Sequence, residues 1–285
     1  AAPSDRELRA EGYTALVQGG GAVEADDQFL CEEIDLTDSG VPELIAQVSR
    51  VGRLREVRAL SGFTRIIPAT GDDKVGVAPL VDSGRPPWLP AVEVLGEGVF
   101  VRLDEKLLDR WVSSPFALER SRLLLRSQAH MSQNSLTAGM EISPKSLALH
   151  SFAHVLVDEM SLTSGYPAAS LRERVYDEDG QTGVLIYTAT ADSAGSLGGL
   201  AGLSDPDRFR QTLANGIRRA RWCTADPVCI ESLGTGVNGM NLAACHACLL
   251  LPETSCERFN LALDRACLVG TPEDVGSGLF RDLWE

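Results

Sequence analysis

Five of the seven cysteines fall between Cys223 and Cys256, in the order C-x5-C-x15-C-x2-C-x7-C through Cys223, Cys229, Cys245, Cys248 and Cys256. A chain without secretory features gathers thiols like this to hold a metal. Tetrahedral thiolate coordination suits zinc, and a two-residue spacer lets both sulfurs of a pair face one ion. Cys245 and Cys248 form the surest pair. Cys223 and Cys229 supply the second, or Cys256 replaces one of them, so four of the five are ligands of one structural Zn2+ per chain. A tetrathiolate ion has no open position for substrate, which makes its role structural. Cys31 and Cys267 stand alone and read as core residues.

A second metal-compatible arrangement is H-S-F-A-H. His150 and His154 are spaced i, i+4 and share one helix face, with Asp158 further along it. A zincin needs Glu directly after the first His, and Ser151 stands there instead. Histidines packed at a helix–strand interface are the preferred reading. The alternative is a metal-dependent hydrolase or nuclease using His150, His154 and Asp158. The loop at Gly195–Gly199 follows a strand and precedes a helix, as an anion site would. It lacks the Lys-Ser/Thr of a Walker loop and the G-x-G-x-x-G spacing, and Asp192 would repel phosphate, so it reads as a packing loop. No serine has a G-x-S-x-G setting.

The elements that must position these residues are legible in part. Helices are expected over 6–17, after Asp104, after Ser114-Pro115, from Ser143-Pro144 to Gly165, and from Asp205 to Trp222. Strands are expected at 28–34 and 183–190, and 41–60 suits a helix or a strand. Gly96-Glu97-Gly98 between two alternating apolar runs predicts a hairpin within 91–103. Ser170 with Glu173 has capping-box spacing, which predicts a short helix ending near Tyr176. The Gly- and Pro-rich stretch 68–90 is the linker candidate, and 131–142 is polar and irregular. The expected fold class is α/β (α+β): a mixed N-terminal lobe, then a helix–strand lobe ending in a four-cysteine zinc module. The divisions are 1–90 (mixed region), 91–142 (hairpin and helices) and 143–285.

The chain has 285 residues, with 44% hydrophobic and 23% charged side chains, as in ordinary globular proteins. A formal charge of −14 argues against a free-standing nucleic-acid binder, although Arg208, Arg210, Arg218, Arg219 and Arg221 cluster. The first residues lack the pattern of a signal peptide, no apolar run is long enough to span a membrane, and a reducing cytoplasm is expected. The chain begins without Met, as a processed product or one piece of a longer polypeptide would.

Together, HSFAHVL (150–156), LRERVY (171–176), GVLIYTATADSAGSLGGL (183–200), C-T-A-D-P-V-C and ACHACLLLPETSCERFNLALDR (244–265) resemble the C-terminal half of the DrmB family. These are the helicase-associated subunits of the DISARM anti-phage system. VGRLREVRALSGFTRI (51–66) and WLPAVEVLGEGVFVRLDE (88–105) extend the likeness over roughly 45–270. The cysteine region is similar to the zinc-binding domain of MrfA-type helicases, with Cys245, Cys248, Cys256, Asn260 and Leu263-Asp264-Arg265 in its motif places. The resemblance makes 143–285 an MrfA-type zinc-binding domain. It supports Cys256 as a ligand, with Cys223 or Cys229 as the fourth. It implies a non-catalytic subunit, docked on a superfamily-2 DNA helicase (DrmA-like), that helps it engage foreign DNA. Members usually have a longer N-terminal half, which makes a fragment or a short variant the expectation. Direct DNA contact would come from Arg218, Arg219 and Arg221; a pure scaffold would make none.

Overall fold

In the computed structural model, the structure describes residues 5–21, 28–60, 62–64, 77–80, 88–130, 140–188 and 199–284. The elements in chain order are α1 (Asp5–Gln18), β1 (Phe29–Glu33), β2 (Ile45–Ala59), β3 (Gly62–Phe63), β4 (Ala78–Pro79), β5 (Ala91–Leu103), α2 (Glu105–Val112), α3 (Pro115–Ala129), α4 (Pro144–Ser164), β6 (Leu171–Tyr176), β7 (Gly183–Thr188), α5 (Pro206–Ala220) and the short α6 (Ala266–Val269). Five strands pair in the order β1-β2-β5-β7-β6, every neighbour antiparallel. Segments 1–90, 91–142 and 143–285 each contribute strands to this one sheet. The class is α+β.

Strand alternation divides the core in two. Val99, Val101, Val184, Ile186, Leu171 and Val175 face one side, in the large core shared with the helices. Phe100, Leu185, Tyr187 and Tyr176 face the other, where Leu16 of α1 joins them. Helix α4 runs through the large core and is buried nearly all round, from Ser146 to Met160. Ser143 caps its start by accepting from the Ser146 N–H, and Gly165, at φ 83°, ends it in the left-handed conformation. Helix α5 buries the stripe Phe209, Leu213, Ile217 and Ala220. Gly216 lets it approach α4, because a Cβ there would meet Val155 Cγ1 at 2.9 Å.

Two sequence expectations fail here. Residues 91–103 form one unbroken strand, without a turn at Gly96-Glu97-Gly98. The glycines serve close backbone approach instead: a Cβ on Gly98 would sit 2.5 Å from the Ile186 carbonyl oxygen of β7. Glu97 is fully buried and accepts hydrogen bonds from the Tyr166 hydroxyl (3.0 Å) and the N–H groups of Leu200 (3.1 Å) and Ala201 (3.2 Å). It anchors the chain where it re-enters the core ahead of α5. The second miss is Leu171–Tyr176, expected as a capped helix and found as edge strand β6 in full register with β7. Pairing with a neighbouring strand outweighed a local cap signal. Most of the linker candidate 68–90, all but the end of the irregular stretch 131–142, and the glycine-rich loop through 198 lie outside the described residues. Among the described residues, no helix is long and apolar enough to cross a membrane.

Candidate metal centre

Helix α5 delivers the chain to Cys223. The segments after it fold back so that Cys223, Cys229, Cys245 and Cys248 bring their sulfurs together. The Sγ–Sγ separations are 3.5 Å for Cys223–Cys245 and 3.7 Å for both Cys229–Cys248 and Cys245–Cys248. Tetrahedral zinc with bonds of about 2.3 Å requires sulfur edges of about 3.8 Å, so the set fits the ion. Backbone N–H groups point at the sulfurs as they do around thiolates: Ala225 to Cys223 and Ala247 to Cys245 (both 3.4 Å), and Cys245 to Cys248 (3.3 Å).

The electrostatics call for a cation. Burial pushes the Cys229 thiol up to about 11 and raises Cys248 further, with the neighbouring sulfurs adding to the effect at Cys248. Burial acts the same way on Cys245, but the Ala247 N–H and the surrounding thiols hold it below its ordinary value. The Cys245 thiolate is favoured while those of Cys229 and Cys248 are penalised, a penalty that a divalent ion compensates. Beside the cluster lies Arg265, fully buried, which donates to the Ala220 carbonyl at 2.9 Å and pairs with Asp226. Its guanidinium also interacts with Cys229, where it favours the thiolate against the effect of burial. Next to it, fully buried Asp264 holds Arg120 of α3 in a two-point pair at 2.6 and 2.8 Å and accepts from the N–H groups of Ala243 and Ala266. Leu263-Asp264-Arg265 thus fastens the module to the helical core.

Residues 152–249 match the MrfA Zn-binding domain. All four cysteines lie within the match, and the set is a structural zinc site. The chain is also 32% identical over 260 residues to the DISARM protein DrmB of Bacillus paralicheniformis, a match that takes in 88% of this chain. It spans 46% of that protein's length, as a half would.

Cys256 is not with the other four. The set favoured by the resemblance, in which Cys256 joins Cys245 and Cys248, is therefore not the one the fold assembles. Its sulfur lies with His150, His154 and Glu173, all four residues buried and their ligand atoms within 4.8 Å of one another. Cys31 and Cys267 are buried in the cores, as expected.

His150 and His154 do converge, with ring centroids 4.6 Å apart. Asp158 does not join them. Eight residues along a helix amounts to about 80° of rotation, and this carries the carboxylate to the edge of α4. There it pairs with Arg219 of α5 at 2.8 Å. Glu173 takes the inner place, because alternation along β6 turns Leu171, Glu173 and Val175 towards α4. The missed signal is an acidic residue between two apolar ones on the inward phase of a strand, hidden by the helical reading of 170–176. Burial holds His150 below its ordinary value, against the opposing pull of Glu173. Burial also raises the Cys256 thiol, with Glu173 adding to the effect.

Arg218, Arg219 and Arg221 lie at the exposed end of α5. Arg219 pairs with Asp158 and with Glu159 (3.0 Å), and Arg218 donates to Asn215 Oδ1 at 2.7 Å. A cleft of about 420 Å³ opens beside the zinc module, lined by Arg218, Arg219, Thr224 and the 69% exposed Trp222.

Proposed function

We propose that the chain is a non-catalytic part of a DISARM anti-phage complex. In this reading it acts in the cytoplasm as an accessory to a DNA helicase subunit (DrmA-like). One observation carries the reading: the likeness to DrmB runs through 260 residues, well beyond the zinc module. The chemistry of the module agrees with it. Four sulfurs close the ion to substrate, so the zinc stabilises a surface. That surface adjoins the end of α5, where Arg218, Arg219 and Arg221 flank the exposed Trp222. Guanidinium groups beside an exposed indole suit a nucleic-acid strand, with phosphates on the cations and a base on the ring. With a net charge of −14, the chain relies on its partner for most phosphate contacts.

The test is co-expression with the helicase subunit of a DISARM system, followed by DNA retention at increasing salt. The triple variant Arg218→Ala, Arg219→Ala, Arg221→Ala is expected to co-purify normally but to release DNA at lower salt. The log–log salt slope should fall by about 1 for each phosphate that the variant no longer neutralises. Unchanged retention removes direct DNA binding by these residues. Failure of the wild-type chain to co-purify removes the helicase partnership.

A further inference from the structure

We propose that His150, His154, Glu173 and Cys256 bind a second divalent transition ion, zinc by donor type, at a closed structural site within the core. The argument starts from the protons. Each imidazole places Nδ1 against a backbone carbonyl: Ala262 at 3.2 Å for His150 and Leu249 at 2.8 Å for His154. A carbonyl only accepts, so Nδ1 carries the hydrogen and Nε2 presents a lone pair. This is the arrangement by which proteins orient metal-bound histidines.

Both Nε2 atoms aim at one carboxylate. They lie 3.0 Å (His150) and 3.5 Å (His154) from Glu173 Oε1, and His150 Nε2 lies 3.2 Å from Cys256 Sγ. These spacings are close to the edges of about 3.3–3.7 Å that a tetrahedral ion with N, O and S ligands requires. Without an ion, the Cys256 thiol can donate its one hydrogen to His150 Nε2, and the remaining lone pairs, those of His154 Nε2 and Glu173, face one another in a buried site. His154 Nε2 and both Glu173 oxygens have no hydrogen-bond partner among the described residues. A proton on one ring would satisfy one contact and leave the other Nε2 facing the carboxylate. Protons on both rings would set two cations face to edge at 4.6 Å.

A second observation is independent of the first. Cys256 Sγ accepts from the N–H groups of Arg258 (3.3 Å) and Asn260 (3.2 Å). The bond from residue i+2 repeats what Ala225 does for Cys223 and Ala247 for Cys245. The loop at Cys256 is thus built like the loops that hold the first zinc. Two nitrogens, one oxygen and one sulfur form a borderline donor set that suits Zn2+. All four places belong to the protein, so this ion fastens α4, β6 and the segment at 256 and leaves no position for substrate. The proposal stands whether or not the chain serves a helicase.

The experiment is elemental analysis of the purified chain for first-row metals, combined with X-ray absorption at the zinc edge. Two ions per chain are expected, their pooled coordination shell containing five sulfur and three nitrogen or oxygen donors. His154→Gln and Glu173→Gln should each hold one ion with an all-sulfur shell. One ion per wild-type chain with an all-sulfur shell overturns the proposal, as do variants that keep two. Wild-type metal content and shell composition decide it even where a variant fails to fold.

Discussion

The four-cysteine module and the His150–His154–Glu173–Cys256 cluster gather donors by opposite routes. The first draws all its ligands from 26 residues of turns after α5, with Cys245 and Cys248 half-buried near the surface. The second draws on a central helix, an edge strand and a distant loop, and every member is buried. The module sends Ile230, Met240, Leu242 and Leu249 into the core, but the turns that carry its sulfurs have no sheet or helix ladder to hold them, so the ion fixes their shape. A cluster between α4 and β6 already lies in a hydrophobic core, so an ion there adjusts a structure that packing has largely made. The difference lies in which comes first, the metal or the fold.

The sharpest way to break this contrast is to remove each set in turn. Cys245→Ser with Cys248→Ser should unfold 223–251, because the zinc contribution of about 10–16 kcal/mol in small modules is comparable to a whole domain's stability. Hydrogen exchange is then expected to show lost protection in the module and retained protection in β2, β5 and β7. Protection that persists in the module would place its stability elsewhere.

A smaller effect is expected from Asp264→Ala. It strands buried Arg120 and removes the clamp between α3 and the module, at a cost of about 3–5 kcal/mol measurable by urea unfolding. Near-neutrality would mean that water reaches Arg120. Gly98→Ala should cost about 1–3 kcal/mol, because the new Cβ pushes on the Ile186 carbonyl and shifts β7. Since β6 hangs on β7, the disturbance should reach Glu173 and spare the four cysteines. Nuclear magnetic resonance shifts of the two His rings against the cysteine loops would separate these outcomes. Smallest is Ser143→Ala, which removes the α4 cap at a cost of about 1 kcal/mol. A change in thermal midpoint without a change in metal content is expected.

Legibility in the sequence followed the range of the interaction. Asp104, Ser114, Ser143 and Asp205 mark helix starts by bonding to N–H groups three residues on, and all four do so. Gly96 and Gly98 misled because a glycine freeing a turn and one admitting a neighbouring strand look alike in a chain. Glu173 misled because Ser170 three residues before it mimics a cap, while its real setting is the face of a strand. Spacing places Cys256 with the other cysteines because it counts thiols without locating them.

By itself the sequence determined that a thiolate zinc module follows a basic helix, because closely spaced ligands and helix caps act within a few residues. It also carried the likeness to DrmB. Only the tertiary structure decided which four sulfurs share an ion and that Cys256 faces two histidines and a buried glutamate. It also decided that Asp158 turns away to Arg219. Those choices depend on sheet register and on the rotation of α4 against β6. Both are set by burial over long separations, which no local spacing encodes.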